Sequence, residues 1–461
     1  MTMSRTLIKC GWLITMDDQL GDHLRDAEIL VDGDRIAAVG HALGATADET
    51  IDASDMIVMP GLVNAHMHTW QAGLRGIGSE WIYNDYFKYV HANMATLYGP
   101  EDNYLGNIVG ALNQIDNGVT TLFDYCHNIT SLEQAERSID ALEESGIRAL
   151  FGLGAGKMRP EIEAVTPFEQ RSHPRERIEH LRKGRLASDD RLVTMALAAA
   201  GPHWASYEAS LANFRLAREF GLISSSHATK RPADAIAPDG YWQLGREGLL
   251  GPWHSIVHGN YLGDDELKMM VDHGVAIIAT VQTEFRGYGA DPLVARTRAL
   301  GGLPALGVDV EPKVSGEMFR EMQAALINVL SIAVRDNRLA GRPPLDMPPV
   351  RTREVLAWAT LGGARAMGLE DRVGSLTPGK QADIVMLRAD DLNLFPVHDP
   401  VFSVVEMANG GNVDTVMIAG RLAKRAGQLT YPRALLQQKM TALRESVDRL
   451  MVEGKYPRRA A

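Results

Sequence analysis

The chain is 461 residues long with a formal net charge of −11, and 45% of it is hydrophobic and 23% charged. That length exceeds one simple core, and the acidic balance argues against a nucleic-acid surface, which needs clustered Lys and Arg. Two cysteines, Cys10 and Cys126, cannot build a disulfide framework, and no apolar run approaches the ~18 residues of a membrane span.

Residues Met1 to Asp17 lack the apolar core and cleavage site of a signal peptide, so the cytoplasm is the expected location. The one basic cluster, Lys455 to Arg459, reads as a solvated tail. Residues 1 to 60 read as short strands: Thr6–Ile8, Trp12–Ile14 and Ala27–Val31, then Arg35–Gly40 after an Asp32-Gly33-Asp34 turn. Asp-Gly between apolar runs is a hairpin signal.

From residue 61 strand-like runs alternate with longer helical patterns, such as Leu105, Ile108, Val109, Leu112 and Ile115. The strand before His66 is followed by Val119–Asp124, Ile147–Gly152, Leu192–Leu197 and Leu222–Ser226. Ser255–Val257, Val275–Val281 and Leu306–Asp309 bring the number to eight. Eight strands alternating with helices over roughly 300 residues predict an α/β fold, a (β/α)8 TIM barrel spanning 61–369.

Strand texture returns at Ala382–Leu387, Val413–Ile418 and Gly420-Arg421. Residues 1–60 and 370–430 are therefore expected to form a discontinuous small β-sandwich domain. Residues 431–461 are expected to form a C-terminal helix and tail, packed on the barrel or on a neighbouring subunit.

The barrel prediction gives strand ends a meaning, because active sites of such barrels lie at the C-terminal ends of the strands. Strand one ends in His66-Met67-His68, a spacing that puts both rings on one strand face about 7 Å apart along the chain. His203 follows strand four, His227 ends strand five, His258 ends strand six, and Asp309 ends strand eight. A single histidine after a strand is ordinarily a packed residue, and Asp309 alone would read as a helix N-cap. Five of the chain's 14 histidines on one rim, with an acid on the last strand, point instead to a divalent-ion site. Asp124 and His127 close strand two and are expected to be structural. Gly152 to Lys157 lacks the Ser or Thr of a phosphate loop and is expected to be a strand-end loop.

The chain resembles the amidohydrolase superfamily, in its cytosine-deaminase-like and chlorohydrolase-like branch, over nearly its whole length. The motifs that carry this are Pro60 to His68, Val257-His258-Gly259, Leu306 to Asp309, Ala359 to Ala366 and Gly374 to Asp383. The resemblance implies one divalent metal held by His66, His68, His227 and Asp309, with zinc ahead of cobalt, manganese or iron. It also implies His258 beside the reacting oxygen and Asp309 as proton acceptor for a metal-activated water. His203, Glu284, Trp70 and Gln71 are expected to bind the substrate, with Trp204 a further candidate for the pocket wall.

Strand four offers no bridging carboxylate or lysine for a second ion; Lys157 is the nearest lysine. Deaminases of the branch carry His-x-x-Glu after strand five, whereas this chain has His227-Ala228-Thr229-Lys230. Lysine cannot be that carboxylate. The stretches Thr280 to Glu284 and Gly307 to Glu311 resemble the phenylurea and molinate hydrolases. The expected reaction is therefore hydrolysis of an amide, urea, carbamate or thiocarbamate C–N bond. Deamination or dechlorination of a nitrogen heterocycle stands as the alternative. The expected partners are a small-molecule substrate and further copies of the chain, with no nucleic acid and no membrane.

Overall fold

The structure is a computed structural model that describes residues 5–159, 163–165 and 167–457. Met1 to Ser4 of the leader reading and Arg458 and Arg459 of the basic tail lie outside the described residues. The first strands are β1 (Arg5–Leu13), β2 (Leu24–Asp32), β3 (Arg35–Gly40) and β4 (Glu49–Pro60). β1 is one strand rather than the expected two. Gly11 does not end it but marks a register shift against β4, where an added Cβ would lie 2.0 Å from the Ser54 carbonyl oxygen. The expected hairpin is present, with Asp32 paired to Arg35 and Gly33 at φ 62°.

Eight parallel strands follow: β5 (Leu62–Met67), β6 (Val119–Cys126), β7 (Arg148–Gly154), β8 (Val193–Ala198), β9 (Ile223–Ala228), β10 (His254–His258), β11 (Ala276–Ala279) and β12 (Ala305–Leu306). Each pairs with the next, and a bridge from Met67 to Asp309 closes the cylinder. Near-continuous apolar or small sequence suits strands buried on both faces. Strand seven ends earlier than its β-branched sequence suggests: Val281–Phe285 is a helical turn. The Glu284 carboxylate accepts the Thr280 N–H at 2.8 Å, which fixes that turn.

The chain then returns to the first sheet with β13 (Ile384–Arg388), β14 (Val413–Ile418), β15 (Arg421–Arg425) and β16 (Gln428–Leu429). The strand order is β16-β15-β14-β13-β4-β1-β2-β3. This single sheet folds over a core of Ile8, Ile29, Ile36, Val58, Ile384 and Met417, so that Arg35 bridges to Gln381. Its joint to the barrel is ionic. Arg148, at the start of β7 and 2% exposed, donates to both carboxylate oxygens of Asp383 at 2.9 Å and to Gln381 at 2.8 Å.

The helix Pro100–Asp116 buries Leu105, Ile108, Leu112 and Ile115 as its periodicity predicts. The C-terminal helix Arg433–Glu453 lies on it, burying Leu443, Val447 and Leu450 while Arg449 donates to Asp102 at 2.6 Å. Leu435 and Met440 remain exposed.

Candidate metal centre

Strands β5 and β12 are fastened to each other where the site begins. The Asp309 N–H donates to the His66 carbonyl and the His68 N–H to the Asp309 carbonyl, both at 3.0 Å. Asn64 Oδ1 accepts from the N–H groups of His66 (3.3 Å) and Val308 (3.2 Å), and its Nδ2 donates to Gln114 at 2.9 Å. Asp309 (φ 63°) and His258 (φ 72°) both hold the left-handed backbone region that non-glycine residues rarely adopt. Such strain persists where surrounding bonds enforce it, and it turns both side chains toward one point.

At that point His66 Nε2 and His68 Nε2 each lie 3.3 Å from Asp309 Oδ1, and His227 Nε2 lies 3.3 Å from His66 Nε2. One ligand atom from each of the four residues falls within 4.8 Å of all the others. A 3.3 Å separation is the edge of a tetrahedron whose centre is about 2 Å from each corner, the zinc–imidazole and zinc–carboxylate distance.

Proton positions support the same reading. His68 Nδ1 lies 2.8 Å from the Tyr125 carbonyl, which can only accept, so Nδ1 carries a ring proton there. Its Nε2 is left facing the Asp309 carboxylate at 3.3 Å. Burial drives His66 down to about 3 and His227 well below its ordinary range, so both rings are neutral at pH 7. Burial alone would raise the Asp309 carboxyl, but hydrogen bonding from the His66 and His68 rings outweighs it and holds it well below the usual carboxylate range. Imidazole nitrogens converging on a charged carboxylate fit a divalent cation.

A cavity opens above this cluster. Its floor is Ala198 to Gly201 at the end of β8, and its walls include Tyr86, Phe87, Tyr125, Phe168, Trp204 and Tyr288. The sequence profile of the amidohydrolase family matches residues 57–423. The chain belongs to the amidohydrolase family. It is a hydrolase. Among relatives of this amidohydrolase, the 5'-deoxyadenosine deaminase of Methanothermobacter thermautotrophicus is 28% identical over 422 residues, covering 88% of this chain and 91% of that one. A 5-methylthioadenosine/S-adenosylhomocysteine deaminase of Syntrophus aciditrophicus is 25% identical over 462 residues, covering 97% and 98%. The fold matches an adenosine deaminase from Xanthomonas campestris with bound zinc at TM-score 0.79 and 23% identity, over 97% of this chain and 98% of that one. It also matches the atrazine chlorohydrolase of Arthrobacter aurescens complexed with zinc at TM-score 0.79 and 22% identity, over 95% and 99%.

Within the amidohydrolase site, His66, His68, His227 and Asp309 come together and His258 stands beside them. Its ring lies 5.4 Å from that of His227 and 6.1 Å from that of His66. The four residues expected to bind substrate lie elsewhere. Glu284 is fully buried behind His258, with Oε1 3.2 Å from His258 Nδ1 and Oε2 accepting from Asn260 at 3.1 Å. His203 turns away from the cavity, its Nδ1 accepting the Lys230 backbone N–H at 3.1 Å. Trp70 is buried against Tyr98, and Gln71 reaches the site only through Tyr86, to whose hydroxyl its Nε2 lies at 2.7 Å.

Trp204 does line the cavity, and so does His127, stacked on His68 at 4.0 Å between centroids. Asp124 is structural as expected. Burial raises it to about 6, and it accepts from Asn107 and from the Thr69 N–H next to His68. Lys230 spreads over the outer face of Trp204, 4.4 Å from the ring centre, and does not line the inner cavity. Lys157 pairs with Glu169 at 3.9 Å. Tyr86 and His91, from consecutive short helical turns, and Tyr288 and Lys313, from turns, also line it without any sequence motif.

Proposed function

We propose that this amidohydrolase uses water to remove an amine, or a comparable leaving group, from an unsaturated carbon of a small nitrogen heterocycle. Ring deamination rather than urea or carbamate cleavage is the leading reading, because the relatives that align over nearly the whole chain are deaminases of adenine nucleosides. The observation that carries a hydrolytic reading is the convergence of His66, His68, His227 and Asp309 beneath an aromatic-walled cavity.

The cofactor is one divalent ion, zinc first, held by those four residues. Bound there, the ion would supply Lewis-acid chemistry that makes water a nucleophile near neutral pH. Asp309 spends Oδ1 on the contacts to His66 and His68, which leaves Oδ2 to accept the proton of the attacking water. No other carboxylate lines the cavity among the described residues, so the same oxygen returns the proton to the leaving nitrogen. His258, with Nδ1 turned to Glu284, presents Nε2 to the substrate atom on which negative charge develops. Tyr86, Phe87 and Trp204 give a flat ring its stacking surfaces and keep bulk water off the reacting carbon.

A second reading, cleavage of a urea, carbamate or thiocarbamate, is favoured by Lys230 standing where deaminases carry a glutamate. The motif likeness to phenylurea and molinate hydrolases supports it. Product mass spectrometry separates the two. Zinc- or cobalt-loaded protein is offered aminated and chlorinated purines, pyrimidines and triazines beside N-aryl ureas, carbamates and thiocarbamates. Ammonia or chloride with a new ring carbonyl is the expected outcome. A substituted amine released from a carbonyl compound would establish the second reading, and no turnover of either class would overturn both.

A further inference from the structure

Apart from its histidines, the inner cavity has two ionisable charges among its described lining residues, Asp309 and Lys313. Asp309 is engaged by His66 and His68. Lys313 is only 7% exposed, yet its ammonium has no hydrogen bond or ion pair with any described residue. Asp309 and Asp85, the acids whose charge reaches it, and Glu311, its neighbour in sequence, make their hydrogen bonds to other groups. Glu311 faces Arg75 at 2.8 Å and Asn113 at 3.2 Å, and Asp85 accepts the Ile82 N–H at 3.0 Å. A single turn, in which the Lys313 N–H donates to the Val310 carbonyl at 3.2 Å, brings the lysine to the cavity that Asp309 lines.

An ammonium drawn largely out of water, acted on by Asp309 and Asp85 only at a distance and bonded to neither, is costly to hold, and the cost falls when a ligand brings an anionic group. We infer that Lys313 is a specificity-determining residue that binds a negatively charged group, a carboxylate or a deprotonated ring atom, on a planar aromatic substrate. This rests on reading the cavity as the substrate site. It narrows the substrate class from nitrogen heterocycles in general to anionic ones, and it makes the site discriminate against substrates with a cationic amine.

The test compares isosteric pairs that differ in charge, benzoate with benzamide and 2-naphthoate with 2-naphthamide, by isothermal titration. Both zinc-loaded and metal-depleted protein are used, because a carboxylate also has affinity for the metal. The carboxylate is expected to bind about 10- to 100-fold more tightly than its amide in both forms. The preference should collapse in Lys313→Met and Lys313→Gln and partly survive in Lys313→Arg. Three outcomes would overturn the inference: a preference unchanged in the neutral variants, a preference that vanishes with the metal, or no carboxylate binding at all. Circular dichroism and zinc content check the variants, and the wild-type comparison stands without them. Failure of the hydrolase reading appears separately, as absent turnover by zinc-loaded wild type, and leaves the metal-free binding comparison intact.

Discussion

The two ends of the barrel bury charge in opposite ways. At the end facing the small sheet, Arg148 and Asp383 satisfy each other with two hydrogen bonds at 2.9 Å, and Gln381 and the Ala419 N–H take up further polar atoms. At the opposite end, three imidazole nitrogens and a carboxylate oxygen converge within 4.8 Å, and Lys313 makes no hydrogen bond or ion pair with a described residue. The first arrangement is complete in itself and locks two domains together. The second gathers groups that could hold a metal ion, and it is shaped by left-handed backbone at His258 and Asp309. Self-satisfied charge marks architecture here, and unsatisfied charge marks function.

The sharpest way to break this contrast is Asp309→Asn, which keeps the shape and removes the charge. Turnover should fall about 10³-fold or more and zinc retention should weaken, while circular dichroism stays unchanged. Near-normal turnover would remove Asp309 from the mechanism. At the opposite end, Arg148→Met leaves a buried carboxylate without its partner and should destabilise the fold by about 3–5 kcal/mol in denaturant titrations. Its kcat at temperatures where it remains folded should match wild type; a selective loss of kcat would show that the two ends are not separable.

Glu284→Gln tests whether His258 is held from behind. It should lower kcat about 10- to 100-fold with zinc content unchanged. A change in KM alone would return Glu284 to the substrate-binding role first expected of it.

A pH-dependent test concerns Glu321, which burial raises to about 8 from an ordinary 4.5 and which Gln282 contacts at 2.7 Å. In the fold it keeps its proton up to about pH 8, whereas unfolded it loses it near 4.5. Its contribution is therefore whole below the lower value and is lost as pH rises to the upper one. Denaturant midpoints of wild type should decline across that window, and Glu321→Gln should flatten the decline. Parallel curves would remove Glu321 as its source.

The barrel was legible because buried parallel strands need long β-branched and small-residue runs, and their spacing exposed the ligand-bearing ends. The strand ends alone offered five histidines and Asp309; which four of the six converge followed from the family resemblance. The cavity did not. Tyr86, His91 and Lys313 come from short helical turns and a turn after strand eight whose paths are set by tertiary contacts, so no local pattern announces them. His127 was read as structural because a histidine after a strand ordinarily is; its stacking on His68 depends on the barrel's closure. His203 follows its strand as the sequence places it, and Glu284 follows strand seven, but the direction of a side chain is decided by partners such as the Lys230 N–H and His258 Nδ1. Thr280 to Glu284 has strand-like composition, and a single carboxylate-to-backbone contact made it a helical turn.

The small sheet joins the two ends of the chain, with Arg35 donating to the Gly379 carbonyl across 344 residues of sequence. During synthesis β4, with Ile57, Val58 and Met59 fully buried in the finished protein, emerges long before its neighbour β13 exists. Its edge and its apolar face therefore stay open while the entire barrel is being made, which is the condition under which unpaired strands associate with other chains. The barrel can close its ring of eight strands before this late pairing occurs. All eight barrel strands lie between β4 and β13 in the chain, so the seam between β4 and β13 is a pairing that must wait for the whole barrel to be made.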